Sequence, residues 1–225
     1  MCVFAFRKKF TTMLHTSILA FLAFCVSISS FAPKPIASPQ REELITTLAR
    51  QFPDITNENL DSELEPWSVV KGKPALQKEF AVFDAKLRQQ FKTMKLKKAP
   101  YWKLKNHPGI DILYMEGTGW HGAIWGYLIL DEAQHSVVDV FFFHKGETRT
   151  YGAEIGLDWF QEQFVGMQLA QDGQLVKLEM PNREKYSHGG KQIDAISGST
   201  ITNRGVMGMF NGMLANYQAL LVQGH

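Results

Sequence analysis

The sequence predicts an α+β fold: a mostly antiparallel sheet packed with helices, preceded by one N-terminal membrane helix or signal segment. Three observations predict it. Three β-type runs between Ile110 and Phe143 are separated only by short polar or glycine-rich turns, which joins neighbours antiparallel. Segments of helical period lie on both sides of these runs without regular strand–helix alternation. Ahead of them all, Phe10 to Pro33 carries no charged residue.

That first segment follows Arg7, Lys8 and Lys9 and is richest in Leu, Ile, Phe and Ala between Met13 and Phe31. Roughly 20 apolar residues span a bilayer as a helix, and a preceding basic cluster keeps the N-terminus cytoplasmic and the remainder outside. A cleaved signal has the same charge pattern, and Ser30-Phe31-Ala32 is a cleavage candidate weakened by the Pro33 that follows. Leu22-Ala23-Phe24-Cys25 is a loose lipoprotein box. All three readings export the rest of the chain, with an anchor ranked first. The expected division is 1–32 for the anchor or signal, 33–40 for a stiff Pro-rich spacer, and 41–225 for a folded domain.

Within the domain, Leu44, Ile45, Leu48 and Phe52 share a helical face. Pro53 to Pro66 is polar and punctuated and reads as a loop. Leu76, Phe80, Phe83, Leu87, Phe91 and Met94 predict a second helix, closed by the cations Lys95 to Lys98 at its dipole's negative end. Strands are expected at Ile110–Tyr114, Ile124–Leu130 and Val137–Phe143, with turns at Gly117–Gly122 and Asp131–His135. Leu157 to Leu169 reads as helix, Gln174 to Met180 as strand. The clearest helix is the last: Val206, Met209, Phe210, Met213, Leu214, Tyr217, Leu220 and Leu221 form one stripe.

Composition excludes several function classes. The net charge of +2 over 225 residues offers no basic stripe for nucleic acid. The two cysteines, Cys2 and Cys25, both precede the domain, which therefore has no disulfide or thiolate metal site. The seven histidines show no metal-ligand spacing. No glycine-rich nucleotide loop follows a strand, no nucleophile elbow is present, and no catalytic acid or base can be named.

Chemistry concentrates before the last helix, in Asp194-Ala195-Ile196-Ser197-Gly198-Ser199-Thr200-Ile201-Thr202. Physically this is a short apolar segment, a turn at Gly198 and a hydroxyl-rich helix start, at which either Thr200 or Thr202 can act as a cap. The segment also resembles the flavinylation motif of the FMN-binding domain family, which includes the C subunit of the sodium-translocating NADH:quinone reductases and the G subunit of the related Rnf complexes. Asp194, Ser197, Gly198 and Thr200 match the pattern, and Ser199 stands where alanine is usual. A second stretch agrees: Gly122-Ala123-Ile124-Trp125-Gly126 resembles the family's glycine-rich strand entry. His144-Lys145-Gly146-Glu147-Thr148 to Gly152-Ala153-Glu154 resembles its His-x-Glu-Thr loop, with Arg149-Thr150-Tyr151 replacing Pro-Gly. Trp159 and Phe160 match an aromatic pair.

The resemblance implies that FMN is esterified through its phosphate to Thr200 by a separate flavin transferase. The phosphodiester would meet the helix N-terminus and Arg204 in the first turn. Gly198 would let the backbone approach closely. Glu147, Thr148 and Tyr151, with Trp120 and Trp125, become candidates for the ring's surroundings; for each aromatic, core packing is the plainer role. His121 and His144 lie in the same stretches. The implied protein is an electron carrier at the outer face of a bacterial inner membrane, partnered by subunits of a membrane redox complex of the sodium-translocating NADH:quinone reductase type. The alternatives are a stand-alone exported flavoprotein serving another electron-transfer system and a non-redox binding domain in which the motif is only a cap.

Overall fold

The computed structural model describes residues 39–76, 98–180 and 191–222, all within the compact unit that begins at Pro39. Among them, α1 (Pro39–Gln51) is followed by the short α2 (Leu60–Glu63) and by β1 (Leu64–Val70), β2 (Lys73–Leu76), β3 (Lys98–Leu104), β4 (Ile110–Thr118), β5 (Ala123–Asp131) and β6 (Ser136–His144). These strands form one six-stranded sheet in the order β2-β1-β3-β4-β5-β6, every pair antiparallel. The predicted α+β class with a mostly antiparallel sheet holds. The expected membrane or signal segment lies outside the described residues. Among those described, no helix is long and apolar enough to cross a membrane.

The sheet buries both faces because its strands alternate apolar residues of both parities. On one face Leu113, Met115, Leu128, Val140 and Phe142 pack with Val206, Met209, Phe210 and Met213 of the long helix α4 (Thr200–Asn216). On the other, Ile112, Ile129, Trp102 and Leu104 pack with Leu44 and Leu48 of α1. Beneath α4, Phe142 meets Phe160 and Phe164 edge-on, and Phe164 meets Phe210 at 5.3 Å. Those rings fix the segment that leads into the chemical site. At the far end of α4 the chain breaks at Tyr217 before α5 (Gln218–Leu221). The buried Tyr217 hydroxyl donates to the Pro100 carbonyl and accepts from Tyr114 N–H at 3.3 Å, tying the helix to β3 and β4.

Four local readings need correction. The loop expected from Pro53 to Pro66 contains α2 and the start of β1. Pro66 is tolerated because, among the described residues, β2 pairs with Trp67 to Val70 and leaves Pro66 a single strand neighbour, so one amide fewer is required. Leu76 and Lys98, assigned to the second helix, are strand ends; the rest of that predicted helix lies outside the described residues. Leu157 to Leu169 is not one helix. A 3₁₀ turn at Gly152–Gly156, one α-turn α3 (Asp158–Gln161) and a second 3₁₀ turn at Glu162–Phe164 replace it, and Gly166, at φ 75°, ends the run. Gln174 to Met180 holds only two-residue pieces. β7 (Ala170–Gln171) pairs with β8 (Gln174–Leu175), while β9 (Leu178–Glu179) pairs parallel with β10 (Lys191–Gln192).

Two glycines set where α4 lies. A Cβ on Gly205 would stand 2.3 Å from the Thr118 carbonyl oxygen, and one on Gly117 would stand 2.8 Å from Met209 Cβ. The helix therefore crosses the end of β4 at backbone contact. Its N-terminus is brought beside the turn between β4 and β5.

Candidate functional site

Three chain segments converge there. The β4–β5 turn supplies Trp120. The loop after β6 supplies Glu147, Thr148, Tyr151 and Gly152. The start of α4 supplies Gly198, Ser199, Thr200, Ile201 and Thr202. Together they line an open cleft of about 440 Å³.

Glu147 joins the three. Its side chain is buried, with Oε1 accepting from the His121 backbone N–H at 2.8 Å and Oε2 accepting from the Thr202 hydroxyl at 2.6 Å. Its own N–H donates to His144 Nδ1 at 3.2 Å. Thr148 Oγ1 and His121 Nε2 add a second link at 3.1 Å. The carboxylate fits because its neighbours are glycines. A Cβ on Gly152 would lie 2.2 Å from Oε2, and one on Gly119 would lie 2.6 Å from Oε1. Both oxygens of the buried carboxyl group are hydrogen-bonded, as a buried polar group requires.

The helix start is shaped from the other side. Gly198 has φ 72°, a conformation that costs other residues energy, and the Tyr151 ring lies where its Cβ would be, 2.9 Å away. Asn203 clamps the preceding segment: its Nδ2 donates to the Ile196 carbonyl at 2.8 Å, and its Oδ1 accepts from Ile196 N–H at 3.2 Å. The first helical bond runs from Asn203 N–H to the Ser199 carbonyl. Thr200, Ile201 and Thr202 thus have no intrahelical acceptor for their N–H groups. Ser199 occupies the cap position without a side-chain cap bond.

The three hydroxyls at this turn differ. Thr202 is 1% exposed and committed to Glu147. Ser199 is 7% exposed, and its Oγ has no hydrogen-bond partner. Thr200 is exposed on the cleft wall. Trp120, Tyr151 and Ile201, respectively 63%, 50% and 43% exposed, add apolar surface around it.

Of the residues expected at the site, Thr200, Ser199, Gly198, Glu147, Thr148 and Tyr151 all line the cleft, as does Trp120. Asp194, Ser197 and Arg204 are exposed and lie outside the lining. The Asp194 backbone N–H donates to Gln163 Oε1 at 2.6 Å, which anchors the motif to the segment under α4. Trp125 also lies outside, stacked on Phe143 at 5.6 Å within the sheet. Sequence reasoning missed Thr202 and Asn203 as builders of the site. Their signal was available, since a polar residue at the third and fourth positions of an apolar helix invites a specific partner.

The cleft can accept an anion with an apolar body attached. Open N–H groups at a helix N-terminus suit a phosphate, and no Lys or Arg is among the lining residues. The exposed aromatics suit a flat ring. Thr200 is exposed on the same cleft wall. On these observations the residues present fit FMN.

Comparison with known proteins agrees. Residues 119–215 match the model of the FMN-binding domain family. The C subunit of the Na(+)-translocating NADH-quinone reductase of Neisseria meningitidis is 31% identical over 102 residues, 45% of this chain and 39% of that protein. The protein of the same name from Chlamydia trachomatis is 31% identical over 134 residues, 52% of this chain and 42% of that protein. The chain thus spans less than half the length of these curated relatives. Among solved structures, the C subunit of the Na(+)-translocating NADH-quinone reductase from Parabacteroides distasonis gives a TM-score of 0.63 at 24% identity, covering 84% of this chain and 100% of that one. Shewanella oneidensis NqrC gives 0.60 at 21%, covering 82% and 97%. These two likenesses are of fold. The resemblance read from these motifs is borne out, and the matched span contains every residue that lines the cleft.

Proposed function

We propose that this chain is an electron-transfer flavoprotein of the FMN-binding domain family, with FMN joined through its phosphate to Thr200 Oγ1. The observation that carries the reading is the position of Thr200 within the matched span. It is the exposed hydroxyl at a helix start whose N–H groups are open, while Thr202 is held by Glu147 and Ser199 is buried.

Attachment needs help, because a threonine hydroxyl is a weak nucleophile. A flavin transferase presents a phosphoanhydride of FMN. The Thr200 oxygen bonds to the flavin's phosphorus, the anhydride P–O bond breaks, the nucleotide leaves, and the threonine proton passes to a base of the transferase. The product is a singly charged phosphodiester, which the Thr200, Ile201 and Thr202 amides and the helix dipole stabilise. Arg204, exposed in the first turn and outside the cleft lining, adds positive charge near the helix start.

FMN supplies one-electron and two-electron redox chemistry when bound. The protein's own contribution is to hold it. The Glu147 links fix the cleft's three walls, and Trp120, Tyr151 and Ile201 provide the apolar surface. Glu147 braces the frame through one bond at each oxygen and also faces the cleft, where it is a candidate contact of the ring. Subunits of a sodium-translocating NADH:quinone reductase complex are the proposed electron partners, in keeping with the names of the curated relatives. Arg7, Lys8, Lys9 and the uncharged stretch after them support anchoring with the FMN domain on the outer face.

Co-expression with a flavin transferase, followed by denaturing electrophoresis, tests the attachment. The parent is expected to keep flavin fluorescence on the polypeptide and Thr200→Val to lose it. Fluorescence that persists in the variant, or is lacking in the parent, would refute the assignment.

A further inference from the structure

We infer that Ser199 is a second hydroxyl contact for the phosphate of the ligand, held in reserve by the way the helix begins; the inference rests on the reading of the cleft as an FMN site. Serine at a helix cap ordinarily accepts from the N–H two or three residues on. Ser199 does not. Its backbone performs the cap's main-chain role, its carbonyl accepting from Asn203 N–H at 2.9 Å and its own N–H donating to the Ile196 carbonyl at 3.2 Å. Its hydroxyl makes no cap bond and has no partner, although the residue is only 7% exposed and lines the cleft.

An orphaned buried hydroxyl is costly, and alanine at this position would avoid that cost. A serine left in this state is explained by a partner that arrives later. The open amides of Thr200, Ile201 and Thr202 beside it define that partner as an anion. A hydroxyl is both rotatable and able to donate, so a turn about χ1 lets Ser199 follow the phosphate oxygens while the amides remain fixed. Burial also separates its role from that of Thr200: the enclosed Ser199 is shielded from an attacking enzyme and can bind the phosphate without being esterified.

The test compares full-length chain, purified in detergent without exposure to a flavin transferase, as parent, Ser199→Ala and Thr200→Val. Each is titrated with FMN and with riboflavin, which lacks the phosphate. Ser199→Ala is expected to weaken FMN about tenfold, the scale of one hydrogen bond to a charged group, and to leave riboflavin unchanged. The thermal midpoint of the unloaded variant should equal or exceed the parent's, because the orphan hydroxyl is gone. Equal FMN affinity in parent and Ser199→Ala would overturn the inference. So would equal weakening of FMN and riboflavin, which marks a merely structural effect, and so would an unloaded parent that does not bind FMN. Thr200→Val keeps the two readings apart. It is expected to bind FMN non-covalently and to lose covalent fluorescence after transferase treatment. Persistent covalent fluorescence would sink the Thr200 assignment and leave the Ser199 comparison standing on its own result.

Discussion

Replacing Gly152 by alanine should collapse the frame of the cleft. The added Cβ would stand 2.2 Å from Glu147 Oε2 and 2.7 Å from Thr202 Oγ1, both well inside contact distance. Glu147 cannot retreat, because a Cβ's worth of space beside Oε1 is already lacking at Gly119 and its Oε1 holds the His121 amide. The Glu147–Thr202 bond at 2.6 Å must therefore break. Overpacking costs about 1–3 kcal/mol, and losing a buried hydrogen bond to a carboxylate costs about 1.5–3 kcal/mol. The combined loss is about 2.5–6 kcal/mol, which lowers the melting temperature of a unit this size by about 10 °C. Circular dichroism melts would read it. Gly146→Ala is the control, since nothing lies within 4 Å of its Cβ position, and it should be close to neutral. In a Glu147→Ala background the closer of the two clashes is relieved and only the Thr202 hydroxyl must give, so Gly152→Ala should cost clearly less than in the parent. A Gly152→Ala loss below about 1 kcal/mol, or the same loss in both backgrounds, would refute the boxed-carboxylate reasoning.

Other variants probe neighbouring parts of the account. Asn203→Ala removes both bonds to Ile196 and should cost about 2 kcal/mol in chemical denaturation; it should also reduce flavin incorporation, and a neutral result would remove Asn203 from the site. Thr202→Val should destabilise the fold by about 1.5–3 kcal/mol while leaving covalent flavin on the chain, whereas the exposed Thr200→Val should do the reverse; swapped outcomes would exchange the two roles. Asp111 is buried beside Lys103, whose Nζ is 3.2 Å from Oδ1, and burial lifts its pKa from 3.8 to about 6 despite that cation. A carboxyl with a raised folded pKa stabilises most below its unfolded value and loses that contribution as pH rises through the folded one. Stability should therefore fall between about pH 4 and pH 7, by about 3 kcal/mol from Asp111. Asp111→Asn should flatten the profile, with a residual slope from Glu116, which burial lifts to about 7. An unchanged profile in the double variant Asp111→Asn/Glu116→Gln would contradict that origin.

The central hairpins were legible because β4 to β6 carry their β-branched and aromatic residues between obvious turns, and the structure only lengthened each strand. The last helix was legible from its stripe. The first half of the sheet was not. β1 is interrupted by Pro66 and β2 is four residues long with Pro74 inside it, so neither reads as an unbroken β-type run, and tertiary pairing decides both. Leu157 to Leu169 misled because Phe160, Phe164 and Met167 have helical spacing, but 3₁₀ turns bring the same side chains to the same core. At the site, the motif located the helix start and its glycine turn. What it could not express is connectivity between distant segments. Glu147 reads as a loop carboxylate, and only the fold reveals that it bonds Thr202 and the His121 amide. Arg204 stands one helical turn after Thr200, near enough along the chain to suggest a phosphate partner, and is exposed outside the cleft lining.

The most direct test of the attachment is the mass of one peptide. Trypsin cleavage after Lys191 and Arg204 releases Gln192 to Arg204, which contains Ser197, Ser199, Thr200 and Thr202 together. From protein loaded by a flavin transferase, fragmentation of this peptide should place the mass of FMN, less one water, on Thr200. The same mass on Ser197, Ser199 or Thr202, or a peptide without it, would contradict the account.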